Sequence, residues 1–176
     1  MVPRSSSRRS VSDSPRDRPH ISQLPFIDVH ATTIGAGVEQ VWPVLLDTLD
    51  RSFGRPGAVR YARMVGCDPD TSSGPRPLTE GSTLPGFRVT ATLPGSELVL
   101  QGRHRFSSYA LILRLEPFDA GWSHLRAESR ATFPDTAGAL YRLLVVRTGG
   151  HAFAVRRLLS AVRGALTKQT TGGTTP

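Results

Sequence analysis

Three polar side chains fall at positions that the hydrophobic pattern predicts to be buried, and they are the residues here best suited to chemistry. His104 lies between Gly102 and Phe106 in an alternating segment, Ser129 lies between two alanines, and His151 lies on the apolar stripe of a C-terminal helical segment. A buried histidine or serine needs a hydrogen-bond partner, and histidine moves protons readily near neutral pH. Each of the three is either satisfied by protein neighbours or lines a pocket and orients the polar end of a ligand.

Other motifs that carry chemistry are absent from the sequence. The five histidines show no metal-binding spacing, and Cys67 is the single cysteine. The segment Gly35-Ala36-Gly37 follows a predicted strand but lacks the third glycine of a dinucleotide fingerprint, and no nucleophile-elbow spacing occurs. We therefore expect no metal and no cofactor. The candidate catalytic residues are His104 and His151.

The elements that position these side chains follow from hydrophobic periodicity. Four segments between residues 87 and 133 alternate apolar with polar residues and are separated by short turns, which predicts consecutive antiparallel strands with one apolar face. Leu100, Leu113 and Leu125 should lie on the covered face, whereas Arg103, Arg105, Arg126, Glu128 and Arg130 should be cross-strand neighbours on the wet face.

The flanking segments predict one further strand and two helices. Residues 26–34 alternate as a strand, and residues 38–53 follow as an amphipathic helix with a kink or late start at Pro43. Residues 61–67 could form a short strand. The Pro- and Gly-rich residues 68–83 predict a long loop, either a binding lid or an ordinary surface segment. A helix from about residue 136 to 168 carries an apolar stripe that Gly149-Gly150 interrupts.

Composition predicts a domain at residues 25–168 between two disordered tails, an Arg/Ser-rich tail at 1–24 and a second at 169–176. Of the 22 basic residues, Lys168 is the one lysine. Either a GC-rich genome or attraction to nucleic acid or an anionic membrane explains this bias. No aromatic residues interleave with the basic tail, which disfavours a nucleic-acid partner. The lone cysteine fits the reducing cytoplasm, and no apolar run is long enough to span a bilayer. The sequence carries no signal for an oligomeric state.

The order of strand, helix, loop-rich segment, antiparallel strands and long terminal helix resembles the START-like superfamily, also called SRPBCC or polyketide cyclase/dehydrase-like. The motifs Val41-Trp42-Pro43-Val44-Leu45, Leu84-Pro85-Gly86-Phe87-Arg88-Val89, Gly102-Arg103-His104-Arg105-Phe106 and Gly149-Gly150-His151 carry the resemblance. It implies an α+β helix-grip fold, in which a curved antiparallel sheet of about six to seven strands wraps around a long C-terminal helix. Members typically bind lipids, sterols, polyketides or other apolar molecules between sheet and helix, and some act as cyclases or aromatases.

The leading hypothesis is therefore a cytoplasmic carrier or sensor that binds a small hydrophobic, lipid- or polyketide-like ligand. The first alternative is a cyclase/aromatase-type enzyme in which His104 or His151 transfers protons, and the second is an interaction protein that uses the basic N-terminal tail. Small inward residues such as Gly102 and Ala131 leave space either for a ligand or for the helix. The predicted ligand-binding residues are Trp42, Phe87, Val89, Leu100, His104, Phe106, Tyr109, Leu113, Ser129, Tyr141 and His151.

Overall fold

A computed structural model describes residues 23–134 and 150–172, which form one antiparallel sheet with three helices. The strands are β1 (Phe26–Ile34), β2 (Thr83–Leu84), β3 (Phe87–Leu93), β4 (Glu97–His104), β5 (Ser107–Asp119) and β6 (Trp122–Thr132), and the helices are α1 (Val38–Phe53), α2 (Pro56–Val65) and α3 (Gly150–Gly172). Most of the predicted N-terminal tail and residues 136–149 of the predicted last helix lie outside the described residues.

The strand order is β1-β6-β5-β4-β3-β2, and every neighbouring pair is antiparallel. The four strands predicted between residues 87 and 133 are confirmed as β3 to β6. Helix α3 packs against α1, β1 and β6 on the side of the sheet where the buried leucines lie. The predicted helix-grip fold is therefore confirmed.

The core lies between the inner face of the sheet and helices α1 and α3. Leu100, Leu113 and Leu125 are fully buried there, as predicted, and they belong to one apolar cluster with Leu45 of α1 and Val162 of α3. The alternation of apolar residues along β4, β5 and β6 supplies the sheet side of this cluster. Its burial, at about 25 cal/mol per Å² of apolar surface, is the main stabilising term of the domain.

Strand β1 places its polar side chains inward. Asp28 lies opposite Ser129 and His30 opposite Ala127, so both point to the covered face of β6, whereas Val29 is 38% exposed. Buried Ile34 sets this phase, because alternate residues of a strand share a face with it. Val29 and Ala31, both exposed, therefore do not mark the buried face of this strand.

One local expectation is wrong, and one alternative of a second is excluded. Residues 61–67 do not form a strand but largely belong to α2, which has Pro56 in its first turn and ends at Gly66 in the left-handed conformation (φ 72°). Proline is preorganised for the first turn, and glycine adopts a positive φ without strain, so these two residues delimit the helix. Helix α1 begins at Val38, ahead of Pro43, so its start is not late.

The alternation also breaks in β3. A register shift occurs between Val89 and Ala91, and beyond it the side chains of β3 lie on the opposite face from the one that the alternation predicts. Leu93 is accordingly 62% exposed. A bulge reverses the side on which later residues lie. The apolar face predicted for this strand is therefore correct only at its beginning.

One arginine makes many of the contacts that fix the segment between α2 and β2. The Arg76 guanidinium donates to the carbonyl oxygens of Ser73, Pro75 and Thr83 at 3.0 Å each, and its Nε donates to Asp50 Oδ2 at 2.9 Å. Four bonds from one planar group tie the segment to itself and to α1. These contacts favour a fixed surface segment over a lid.

The outer face of the sheet is less exposed to solvent than predicted. Glu128 is only 7% exposed and bonds Arg114 (3.0 Å) and Arg130 (2.6 Å), while Arg114 also bonds Glu97 (2.8 Å). Burial by itself raises the pKa of Glu128, but the hydrogen bonds from Arg130 and Arg114 outweigh it and the pKa lies below its usual value. This network anchors the outer face.

Glu128→Gln should lower the free energy of unfolding by about 1–3 kcal/mol at pH 7, because two arginines lose a charged partner. The pKa of Glu128 is lower in the folded protein than its ordinary value of 4.5, so the ionised carboxylate stabilises the fold above pH 4.5, and this stabilisation is lost as the pH falls below 4.5. The difference in the free energy of unfolding between wild type and variant should therefore shrink below pH 4.5. Urea unfolding at several pH values measures this. The exposed Glu116→Gln is the control and should change stability by less than about 0.5 kcal/mol; equal losses in both variants would contradict the assignment.

Candidate functional site

A cavity of about 750 Å³ opens between α3, the end of α1, α2 and the inner face of the sheet. Its volume is in the range of small-molecule sites, and its lining is mostly apolar with a few polar groups. The polar lining residues include His104, Tyr109, Ser129 and His151. The apolar part of the lining includes Ile27, Phe53, Phe87, Ala110, Leu111, Ala131, Phe133, Ala154, Val155, Leu158 and Ala161.

An aromatic row forms one wall of the cavity. The ring centroids of Phe53 and Phe87 are 5.0 Å apart, those of Phe87 and Tyr109 are 5.2 Å apart, and those of Tyr109 and His104 are 5.3 Å apart. The first two pairs meet edge to face, an arrangement that aromatic quadrupoles favour. The row links α1 to β3, β5 and β4 and gives the cavity a rigid side.

Gly102 and Gly86 make room for the Tyr109 ring. A Cβ at Gly102 would lie 1.9 Å from the Gly86 carbonyl oxygen and 2.7 Å from Tyr109 Cε2, so β4 has no space for a side chain there. The Tyr109 hydroxyl donates to the same carbonyl at 2.8 Å. The space that Gly102 leaves is therefore filled by Tyr109 and not by a ligand or by α3.

His104 presents a defined tautomer. Its Nδ1 accepts a hydrogen bond from the Phe106 amide at 3.1 Å, and burial lowers the pKa of the imidazole below 6.5, so the ring is neutral at pH 7. Because Nδ1 is the acceptor, the proton lies on Nε2. His104 therefore acts as an N–H donor at neutral pH and not as a base.

Cys67 lies behind the aromatic row, where its Sγ is 3.6 Å from the Tyr109 hydroxyl oxygen. Burial raises the pKa of the Cys67 thiol, and although the contact with Tyr109 lowers it and Asp70 raises it further, the net pKa is above the usual value. A thiol with a raised pKa is a poor nucleophile. Cys67 is therefore part of the wall.

A second polar group gathers where β1, β6 and α3 meet. Asp28 Oδ2 lies 3.3 Å from His30 Nε2, and Asp28 Oδ1 lies 3.5 Å from His151 Nε2. Both contacts have ion-pair distances, yet neither has hydrogen-bond geometry: Asp28 Oδ1, both Nε2 atoms and Ser129 Oγ are buried and have no hydrogen-bond partner among the described residues. Sequence reasoning missed Asp28 and His30. Both lie in β1, and the sequence does not reveal which side of this strand faces the core.

Five of the predicted ligand-binding residues line the cavity: Phe87, His104, Tyr109, Ser129 and His151. Val89, Leu100 and Leu113 lie in the packed core, Trp42 packs against it, and Phe106 lies beside His104 without lining the cavity. The alternation of apolar and polar residues shows which side of the sheet faces inward. It does not show which part of that inner face is covered by α1 and α3. Tyr141 lies outside the described residues.

Within residues 23–134 and 150–172, no group of three or more histidines, cysteines or carboxylates has an arrangement that could hold a metal ion. In the same ranges, no helix has the length and apolar character needed to cross a bilayer.

No protein-family model and no curated protein sequence matches this chain. Solved structures similar to it include the Mll3558 protein of Rhizobium loti (17% identity, 78% of this chain, 94% of that chain, TM-score 0.49). A second is Ms6760 of Mycobacterium smegmatis (16% identity, 82% of this chain, 99% of that chain, TM-score 0.49). A third is truncated norcoclaurine synthase of Thalictrum flavum (10% identity, 82% of this chain, 96% of that chain, TM-score 0.49). The strand order and helix placement of this chain itself show the helix-grip arrangement that the predicted resemblance implies.

Gly102→Ala should destabilise the domain by about 1–3 kcal/mol, because the methyl group must displace Tyr109 or the Gly86 backbone. Thermal and urea unfolding measure the loss, and the near-UV circular dichroism of the aromatic row should change with it. Gly57→Ala is the matched control, since a Cβ there has no atom within 4 Å. That variant should be neutral or slightly more stable, and similar results for the two variants would contradict the close packing.

Proposed function

We propose that this protein binds a small hydrophobic molecule in the cavity between α3 and the sheet and acts as a cytoplasmic carrier or sensor. The observation that carries the proposal is the 750 Å³ cavity with its mostly apolar lining. A volume of this size accommodates a lipid- or polyketide-like molecule of several rings or a medium acyl chain.

The distribution of side chains supports binding in this cavity. Phe53, Phe87 and Leu158 present apolar surface from three different elements, and burying a ligand against them removes apolar area from water at about 25 cal/mol per Å². Among the described residues, the charged side chains of the lining are those of Arg55, Arg130 and Arg157, and all three are basic. A ligand with an electron-rich end is therefore favoured over a cationic one.

A second candidate function is proton transfer on a bound carbonyl compound, as in a cyclase or aromatase. His104 offers an N–H donor to polarise a carbonyl, and His151 lines the same cavity as a candidate base. Together they could remove a proton from the carbon next to the carbonyl. The specific observation in favour is that two imidazoles from different elements share one apolar cavity.

Ala154→Trp should weaken binding of a neutral naphthalene dye, 6-propionyl-2-(dimethylamino)naphthalene, by at least about tenfold, which corresponds to about 1.4 kcal/mol. Ala154 lines the cavity from α3, so an indole at this position occupies ligand space. Fluorescence titration measures affinity, because the dye brightens and shifts to shorter wavelengths in apolar surroundings. Ser160→Trp, at an exposed position of α3 that does not line the cavity, is the control. An unshifted emission with wild type, or equal affinities of both variants, would contradict the proposal.

For the second candidate, the wild-type protein should speed deuterium exchange at the α-carbon of α-tetralone in D₂O by about 100-fold over buffer, a typical gain from positioned acid–base groups. Proton NMR follows the exchange. His151→Leu and His104→Asn should each lose most of the gain, whereas His124→Gln, which lies outside the cavity lining, should keep it. An equal rate with wild type and His151→Leu would remove the enzyme hypothesis and leave binding intact.

A further inference from the structure

The unpaired polar atoms at the junction of β1, β6 and α3 are placed to recognise one chemical group. The Asp28 carboxylate lies between two imidazoles, with one oxygen 3.3 Å from His30 Nε2 and the other 3.5 Å from His151 Nε2. Ser129 is directly opposite Asp28 in the β1–β6 pairing and is 3% exposed. Both Ser129 and His151 line the cavity. A polar junction therefore opens onto a mostly apolar chamber.

The positions of the protons follow from the neighbours of each ring. Arg156 Nε donates to His30 Nδ1 at 3.5 Å, so a neutral His30 carries its proton on Nε2, toward Asp28. The other Asp28 oxygen lies 3.5 Å from His151 Nε2, and its negative charge favours a proton on that nitrogen although the contact lacks hydrogen-bond geometry. A neutral His151 is then left with Nδ1 as its unprotonated nitrogen. Asp28 is thus placed to act as a positioning residue for His151, which lines the cavity.

We propose that Ser129 and the Asp28-oriented His151 form a subsite for the hydroxyl group of an apolar alcohol or phenol. The ligand O–H donates to His151 Nδ1, and the ligand oxygen accepts from the Ser129 hydroxyl. This inference rests on the proposed binding function, because it assigns the polar end of the ligand that the cavity holds. It adds Asp28 and His30 to the residues that determine specificity.

A hydroxyl group satisfies this junction better than other polar groups do. It donates one hydrogen bond and accepts another, which is what His151 and Ser129 require. An ether or a ketone accepts from Ser129 but leaves Nδ1 of His151 without a donor, and a carboxylate brings a second negative charge close to Asp28. Buried polar groups left unpaired cost free energy, so ligands without an O–H bind less tightly.

The test uses the full chain and two probes that differ only at this group, 2-naphthol and 2-methoxynaphthalene. Wild type should bind the naphthol about threefold to tenfold more tightly than the ether, the effect of one net hydrogen bond. Because 2-naphthol becomes a strong acid when excited, a neighbouring proton acceptor also yields naphtholate emission from the bound dye. Fluorescence titration gives the affinities and the emission spectrum reports the acceptor.

Two variants remove the proposed partners. His151→Leu keeps an apolar residue on the cavity face of α3, and Ser129→Ala removes one hydroxyl. His151→Leu should bring the preference for naphthol close to one while ether binding changes less than twofold, and it should also abolish the naphtholate emission. Ser129→Ala should weaken the binding of both probes, because both accept from Ser129, and leave the preference for naphthol in place. Asp28→Asn should reduce both the preference and the naphtholate fraction. Asp47→Asn, which removes an exposed carboxylate of α1, should change neither.

The outcomes separate this inference from the binding proposal. If neither probe binds wild type, the cavity does not hold small apolar molecules and both proposals fail. If both probes bind wild type equally and without naphtholate emission, the hydroxyl subsite is overturned while binding stands, and this result needs no variant to fold. If Asp28→Asn behaves as Asp47→Asn does, Asp28 has no positioning role.

Discussion

The apolar contact between α3 and the inner face of the sheet is the interaction on which the rest of the structure depends. Val162 of α3 and Leu45 of α1 meet Leu113 of β5 in one buried cluster. Toward the end of β4 and the start of β5 the same inner face carries Tyr109, and there the cavity opens. The packed half holds α3 in place over the open half, so the core and the cavity are two consequences of one docking geometry.

The parts of the fold that the sequence predicts are those in which one period persists over a whole element. Strands β4 to β6 carry apolar residues at most positions of their inner face, and α1 carries its apolar residues at helical spacing, so a half-buried sheet and a covering helix follow directly. The approximate position of the cavity was predictable for the same reason. His104, Ser129 and His151 interrupt an apolar face, and all three line the cavity.

The rest depended on contacts between residues far apart in the sequence. In β1 both faces carry polar and apolar residues, so only the pairing with β6 shows that Asp28 points inward. The outer face hides Val99 and Ile112, at 4% and 3% exposure, among residues that include Arg114 and Glu128. The stems of long charged side chains can cover apolar surface, a feature that alternation does not reveal. In each case the tertiary neighbour decides the role of the residue.

The polar junction in this cavity argues for a selective binder and against a general sink for apolar molecules. If the cavity only removed apolar ligand surface from water, apolar residues at positions 28, 30 and 129 would make the protein more stable. Asp28, His30 and Ser129 instead bury polar atoms without partners, which opposes folding. Specificity arises from this cost: a site whose polar groups are satisfied only by the correct ligand rejects analogues far better than an apolar wall does. In the proposed binding function, the aromatic row supplies affinity and the junction supplies discrimination.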